Sequence, residues 1–275
     1  MSPKVSSHSD SYALQTGAAA APRLHALHDI YSPAGRRILL TAGLRKGMRV
    51  ADFGCGVGVM TRMLAEIVGP SGSVTGIDIS GEQLEQASDL CDRERLRNTY
   101  FVKANASRTS LPRNLFDLVY CRFLLLHLPD PAACLREMRD VLRPGGILVV
   151  EDGDLASATS VPPTPMDEFA DLFCRYGSIR GLDYSLAKNL YHLVIGAGFS
   201  DANIEIHQPA ITSGENRYFL KWSVEEAGPA FVEAGIVSAA QLQRTLAGMQ
   251  EAIDDPKVLI LAPRMSLVWA QKAVG

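Results

Sequence analysis

Cysteine is scarce and irregularly placed in this chain. The five thiols, Cys55, Cys91, Cys121, Cys134 and Cys174, form no CxxC pair. An odd, scattered set supports neither a disulfide framework nor a zinc centre. The six histidines contain no HExxH pattern, and no metal site is expected. Long hydrophobic runs are absent too: the longest, such as 123–126 and 258–262, are strand-sized or core-helix-sized, far short of the ~18 residues a membrane span needs. The N-terminal stretch carries one lysine and no apolar run, so no secretory leader is expected, and the chain reads as soluble, reduced and cytoplasmic. Charge of one sign is missing as well. Lys and Arg number 27 against 30 Asp and Glu, a net charge of −3, which argues against nucleic acid as the default partner. What is present is an ordinary globular mixture, 47% hydrophobic and 21% charged over 275 residues. That is enough to bury a core without staples.

Along the chain a rhythm emerges. Residues 1–11 are polar and serine-rich and read as a mobile arm. Residues 22–46 read as helix, with Pro22 at a first-turn position and Ser32-Pro33 dividing the stretch in two. Strand-like runs then fall at 49–53, 73–79, 100–103, 116–121 and 146–151, with helical patterns at 60–68, 81–96 and 131–142. This alternation predicts βαβ units and a parallel sheet covered on both faces. From 153 to 200 the rhythm breaks into a proline-rich loop and two helical patterns, 166–179 and 184–197. Strand signals return at 202–207, a helical pattern occupies 224–253, and 258–261 with 266–271 are β-rich. The fold class expected is α/β: a Rossmann-like, doubly wound, mostly parallel seven-stranded sheet with helical cap insertions. It divides into an N-terminal arm and lid (1–46), a nucleotide-binding core (47–152), a cap insertion (153–200) and a C-terminal completion (201–275), all in one unit.

The chemistry concentrates in Val50-Ala51-Asp52-Phe53-Gly54-Cys55-Gly56-Val57-Gly58, a strand running through a glycine turn into a helix. Glycine lets a ligand lie against bare main chain, and the helix start offers unpaired N–H groups. A dinucleotide fingerprint would need a third glycine at 59, where this chain has Val59. There is also no GKS or GKT to make a phosphate loop. Asp78 ends the second strand and is placed to accept both hydroxyls of a ribose. A nucleoside ligand follows, with less weight on a pyrophosphate.

With these features the sequence resembles the class I S-adenosylmethionine-dependent methyltransferases, the broad group that includes ubiquinone and menaquinone biosynthesis enzymes. The resemblance covers residues 45–152. Besides the glycine loop and Asp78 it includes Asn105-Ala106, Phe116 to Arg122, His127-Leu128-Pro129-Asp130-Pro131 and Leu142-Arg143-Pro144-Gly145-Gly146. It implies S-adenosylmethionine as cofactor and S-adenosylhomocysteine as product. Gly54, Cys55, Gly56 and Gly58 would hold the methionine end through the main chain. Asp78 would take the ribose and Ile79 would pack on adenine. Ala106 would offer its N–H and Asn105, where many members have aspartate, would accept from the adenine amino group. Cys121 and Arg122 would lie beside the methionine moiety, and Tyr12 and Arg23 would belong to a lid.

The implied reaction is methyl transfer to a small-molecule acceptor with an O, N or C nucleophile, for which His127 and Glu151 are the candidate catalytic groups. Tyr176, Tyr184, Tyr191 and His192 are candidates for an aromatic acceptor pocket. Competing readings are transfer to tRNA, rRNA or protein, a cofactor-binding protein that transfers nothing, and an NAD-dependent oxidoreductase. The N-terminal helix with its arm is compatible with exchange between subunits of a homo-oligomer.

Overall fold

The computed structural model describes residues 21–274. The long first helix, α1 (Ala21–Thr41), leads into β1 (Arg49–Phe53), α2 (Val59–Val68), β2 (Ser73–Asp78), α3 (Gly81–Arg93) and β3 (Thr99–Lys103). Then come β4 (Phe116–Arg122), α4 (Pro131–Val141) and the thirteen-residue β5 (Leu142–Asp154). These are the expected βαβ units. Their strands are apolar on both faces because helices cover both sides. The helix starts are set locally: Ser80 accepts the Gln83 N–H, and Asp130 accepts the Ala133 N–H with Pro131 in the first turn.

The remaining elements are β6 (Thr159–Val161), α5 (Glu168–Arg180), α6 (Leu190–Gly196), β7 (Phe199–His207), β8 (Ala210–Ile211), α7 (Phe219–Glu233), α8 (Ala239–Asp254), β9 (Leu259–Leu261) and β10 (Arg264–Lys272). The main sheet has seven strands in the order β3-β2-β1-β4-β5-β10-β7. All run parallel except β10, which is antiparallel to β5 and β7. Strand order reverses between β1 and β4, the switch point at whose carboxyl edge ligands bind in open α/β sheets. α1, α2 and α3 cover one face, and α4 and α6 the other.

Four expectations are corrected. First, α1 runs unbroken through Pro33, because Tyr31, Ile38 and Leu39 are buried on both sides of the proline and packing outweighs the one lost hydrogen bond. Second, the helical stretch at 224–253 is two helices: Gly235, at φ +69°, ends α7, and a capping box of Ser238 and Gln241 starts α8. Third, the cap is not confined to 153–200. Residues 208–262 leave the main sheet: α7 and α8 join α5, and β8 and β9 pair with β6 in a three-stranded sheet, β6-β9-β8. Fourth, α6 does not belong to the cap. It packs on α4, β7 and β10, and Tyr191 and His192 stand edge-on to each other there. Among the described residues no helix is long and apolar enough to cross a membrane, and no cluster of three or more His, Cys, Asp or Glu could hold a metal ion.

Candidate active site

At the carboxyl end of β1 the chain turns through Gly54, Gly56 and Gly58 at φ +68°, +53° and +81°. These are left-handed values that cost other residues ~1–2 kcal/mol each. Gly58 is also needed for space, since a Cβ there would lie 2.7 Å from the Cβ of Ala87 on α3. The loop is tied to β2 by its own main chain. The N–H groups of Gly54 and Cys55 donate to the Ile77 carbonyl at 2.8 and 3.0 Å. Asp78 is held by two further N–H donors, Gly56 to Oδ2 and Ser80 to Oδ1, both at 2.9 Å. Its carboxylate is thereby oriented, with lone pairs left over for a ligand.

Beside it Ile79 is 64% exposed, a large apolar side chain left on the rim. The end of β3 joins the same patch: Ala104 N–H donates to the Asp78 carbonyl at 2.9 Å. Asn105 uses one lone pair of Oδ1 on the Ser107 N–H at 2.8 Å, an Asx turn that presents the half-buried Ala106. Beneath the loop, buried Asp52 accepts from the Thr61 hydroxyl at 2.6 Å. Burial lifts its carboxyl to about 7, against the opposing pull of that bond and of Arg122. Asp52 is a site residue to which the sequence reading gave no role. Its signal was a charge inside the otherwise apolar strand RVADF.

The tip of β4 sends alternate side chains to opposite faces. Tyr120 and Arg122 face α1. The Arg122 guanidinium donates to the Ser32 hydroxyl at 3.0 Å, and Ser32 lies 2.7 Å from His28 Nδ1. Burial, then the Arg122 charge, lowers the His28 pKa. Neither Ser32 nor His28 was anticipated, although their i, i+4 spacing on α1 was visible. Cys121 faces the other way. Its thiol is buried beside Cys134 of α4, so it is its main chain that reaches the strand tip.

Adjacent Glu151 and Asp152 diverge for the same reason. Asp152 accepts the N–H groups of Leu125 and Leu126 at 2.8 and 3.3 Å and so braces the turn after β4. Glu151 lies fully buried under α1, where a Cβ at Gly35 would come within 2.5 Å of its Oε1. Neither of its oxygens meets a donor at hydrogen-bonding geometry, and the neighbouring Tyr120 hydroxyl is also unpartnered. Burial lifts both carboxyls to about 7.

The turn after β4 bridges two environments. Leu124 packs where a Cβ of Gly54 would be, 2.9 Å from that position. Three residues on, the His127 ring stands edge-on to Tyr184 of the cap, with centroids 5.5 Å apart. Burial, reinforced by the Arg23 cation, lowers the His127 pKa to about 3, so the ring is neutral across the physiological range. Arg23, the described one of the two expected lid residues, is held by the cap. Its Nε donates to Glu226 Oε2 of α7 at 2.7 Å, a buried pair that closes the seam between α1 and α7. Behind Tyr184 the cap core is aromatic: Phe169, Phe173, Phe231 and Tyr176, with successive ring centroids 4.6 to 5.4 Å apart. Tyr12 lies outside the described residues.

A family model described as a methyltransferase domain matches residues 44–194, more than half of the chain. The chain belongs to the methyltransferase-domain family. Its architecture is that of the class I S-adenosylmethionine-dependent methyltransferases. A demethylmenaquinone methyltransferase of Staphylococcus aureus is 35% identical over 141 residues, 51% of this chain and 54% of the relative. The chain thus spans about half the length of the curated relatives it matches. Among solved structures, an S-adenosylmethionine-dependent methyltransferase from Aquifex aeolicus has a TM-score of 0.55 at 17% identity, covering 94% of this chain and all of that one. The 4+2 cyclase SpnF also has a TM-score of 0.55, at 24% identity, covering 98% of this chain and 86% of its own. These two likenesses concern the fold, and the second is a reminder that this fold houses more than one chemistry.

Proposed function

We propose that the protein transfers the methyl group of S-adenosylmethionine to a small, largely apolar acceptor held between the glycine loop and the cap. The observation that carries this reading is the Gly54–Gly58 loop, bare of side chains, clamped to an Asp78 carboxylate that two N–H donors have already oriented. That arrangement fits a nucleoside: lone pairs for the ribose hydroxyls, the exposed Ile79 for an adenine face, and the second lone pair of Asn105 Oδ1, next to Ala106, for the adenine amino group. On the methionine side the fit is to Arg122, steadied by Ser32, and to the main chain of Gly54, Cys55, Gly56 and Cys121.

When bound, S-adenosylmethionine supplies a methyl group already activated on a sulfonium. The protein's share is therefore positioning, a contribution on the order of 7 kcal/mol in well-aligned systems. The loop and Asp78 hold the donor end, the turn 123–127 spans to the cap, and α1 covers the edge and excludes water. His127, neutral and beside a cation, is a weak proton acceptor. Its pKa lies far from the operating pH that favours a general base, so its role here is to orient the acceptor. Glu151, lifted to about 7 by burial against the opposing pull of Arg122 and the Tyr120 hydroxyl, is better tuned to hold or release a proton. The aromatic cap and the kinship to an enzyme named for demethylmenaquinone support an apolar acceptor.

The test is calorimetric titration with S-adenosylmethionine, S-adenosylhomocysteine and NAD, followed by a methyl-transfer assay over phenolic, quinol and amine acceptors. Micromolar binding of the first two alone, with S-adenosylhomocysteine formed on an acceptor, supports the reading. Binding of NAD alone overturns it. Tight cofactor binding with no transfer to any acceptor would favour a non-transferring use of the same pocket.

A further inference from the structure

The turn that carries the chain out of β4 begins under strain. Phe123 sits at φ +51°, a left-handed backbone that is an outlier for a bulky residue and persists only where the surroundings over-determine it. Three consecutive residues at the tip of β5 do this. The Glu151 carbonyl accepts the Phe123 N–H at 2.9 Å. Gly153 leaves room for the ring, since a Cβ there would lie 2.5 Å from Phe123 Cε1. Between them, one carboxylate oxygen of Asp152 accepts the next N–H groups of the turn, those of Leu125 and Leu126. From the other side the Tyr31 ring of α1 stands edge-on to Phe123, with centroids 5.3 Å apart.

Leu125 and Leu126 open a single turn of 3-10 helix, Leu125–His127, whose N-cap position is Leu124. The first N–H groups of such a turn have no acceptor within it. The usual remedy is a Ser, Thr, Asp or Asn at the N-cap itself, and a leucine side chain offers nothing. Here the cap comes from the neighbouring strand. Asp152 is fully buried, and its second oxygen is held by the Gly153 N–H at 3.0 Å. Placing the capping carboxylate on β5 frees position 124 for an apolar side chain. Leu124 uses that freedom to fill the space beside bare Gly54, its Cδ1 2.9 Å from where a Cβ would stand.

We propose that Asp152 is a positioning residue for the methyl donor: by capping the turn after β4 from β5, it holds Leu124 against the glycine loop and keeps that loop in the conformation that binds S-adenosylmethionine. This rests on the methyl-transfer reading above and adds a residue that acts on the cofactor through Leu124. Losing the Asp152 bonds lets Phe123 relax to an ordinary backbone and draws Leu124 away from Gly54. The coupling is reciprocal: a loop occupied by ligand resists the displacement of Leu124, and so strengthens the bonds to Asp152.

The probe is S-adenosylhomocysteine, titrated calorimetrically into the full chain. Asp152→Ala should weaken its binding by about tenfold or more in the folded protein. Leu124→Ala keeps the cap and loses the contact with the loop. It should weaken binding by about fivefold or more, with a smaller fall in melting temperature than Asp152→Ala. The double variant Leu124→Asp with Asp152→Ala returns a capping carboxylate to the turn without the leucine. It should regain melting temperature relative to Asp152→Ala and regain no affinity. Ser238→Ala removes a cap of the same kind from distant α8 and should change affinity by less than about twofold. Amide exchange reads the coupling in reverse: saturating S-adenosylhomocysteine should slow exchange at Leu125 and Leu126 in the parent, and not in Leu124→Ala. Parental affinity in Asp152→Ala or Leu124→Ala, recovery of affinity in the double variant, or turn amides indifferent to the ligand overturns the proposal. If Asp152→Ala does not fold, Leu124→Ala and the amide exchange decide it. Failure of the parent chain to bind S-adenosylhomocysteine would instead strike the methyl-transfer reading.

Discussion

The two sides of the sheet edge are built on different plans. On the donor side, polar groups are satisfied by the main chain within a short stretch of sequence: Asp78 by Gly56 and Ser80, the loop by Ile77, Asn105 by Ser107. Under α1 and where α1 meets the cap they are matched across long distances, Arg23 with Glu226, Arg122 with Ser32, and some are left incompletely matched, as with Glu151 and Tyr120. A site for one constant ligand can be completed by backbone geometry. A site for a variable ligand keeps polar groups in reserve, and only side chains brought together by tertiary packing can supply them.

The sharpest way to break this contrast lies in the cap. Buried Arg217 donates to five carbonyls, those of Thr212, Ala252, Ile253, Asp255 and Val258, with no carboxylate among its partners. Arg217→Ala should cost about 3–5 kcal/mol of unfolding free energy by denaturant titration, since it strands several buried acceptors at once. It should leave S-adenosylmethionine affinity in the surviving folded fraction intact. A matching loss of cofactor affinity would show that cap and donor side are one cooperative element.

Next in size is Gly58→Ala. It combines a left-handed backbone with a Cβ 2.7 Å from Ala87, and about 2–4 kcal/mol is expected. Cofactor binding should fall with it, because here the strain lies in the binding loop itself. Asp78→Ala should weaken S-adenosylmethionine binding about ten- to a hundredfold, the ~1.5–3 kcal/mol of hydrogen bonds to a charged acceptor, with thermal stability changed far less. Equal affinity by calorimetry would remove Asp78 from the site.

The smallest effect is in pH dependence. Glu151 is lifted from its usual 4.5 to about 7, so between those values the folded state holds a proton that the unfolded state has released. Stability from this group is full below about 4.5 and is lost as pH rises toward 7. Glu151→Gln should flatten that decline and make the variant more stable than the parent at pH 8, by ~2 kcal/mol or less. A steeper decline would mean that the carboxyl is ionised and paired.

What could be read early, and what could not, follows the same division. The strand and helix rhythm of 49–151, the glycine loop and Asp78 depend on local periodicity, turn chemistry and capping, which neighbouring residues express. The assignments that moved were those set by a distant partner. Pro33 signalled a break, yet the buried residues around it kept α1 continuous. Cys121 and Arg122 are adjacent, but strand alternation sends one to α4 and the other to Ser32. Glu151 and Asp152 look equivalent in sequence and differ because Gly35 of α1 makes room over one of them. Residues 224–253 matched helical periodicity, while Gly235 and the Ser238 capping box divided them.

The sequence by itself determined the sheet-forming units, their order, and a nucleoside-binding turn at the first strand, because each rests on contacts within a few tens of residues. Only the tertiary structure decided which face each strand-tip side chain takes, where α7 and α8 settle, and that Arg23 meets Glu226 across 203 positions of chain. Those outcomes depend on burying apolar faces against partners that no local pattern names, and on matching charges where that burial has removed water.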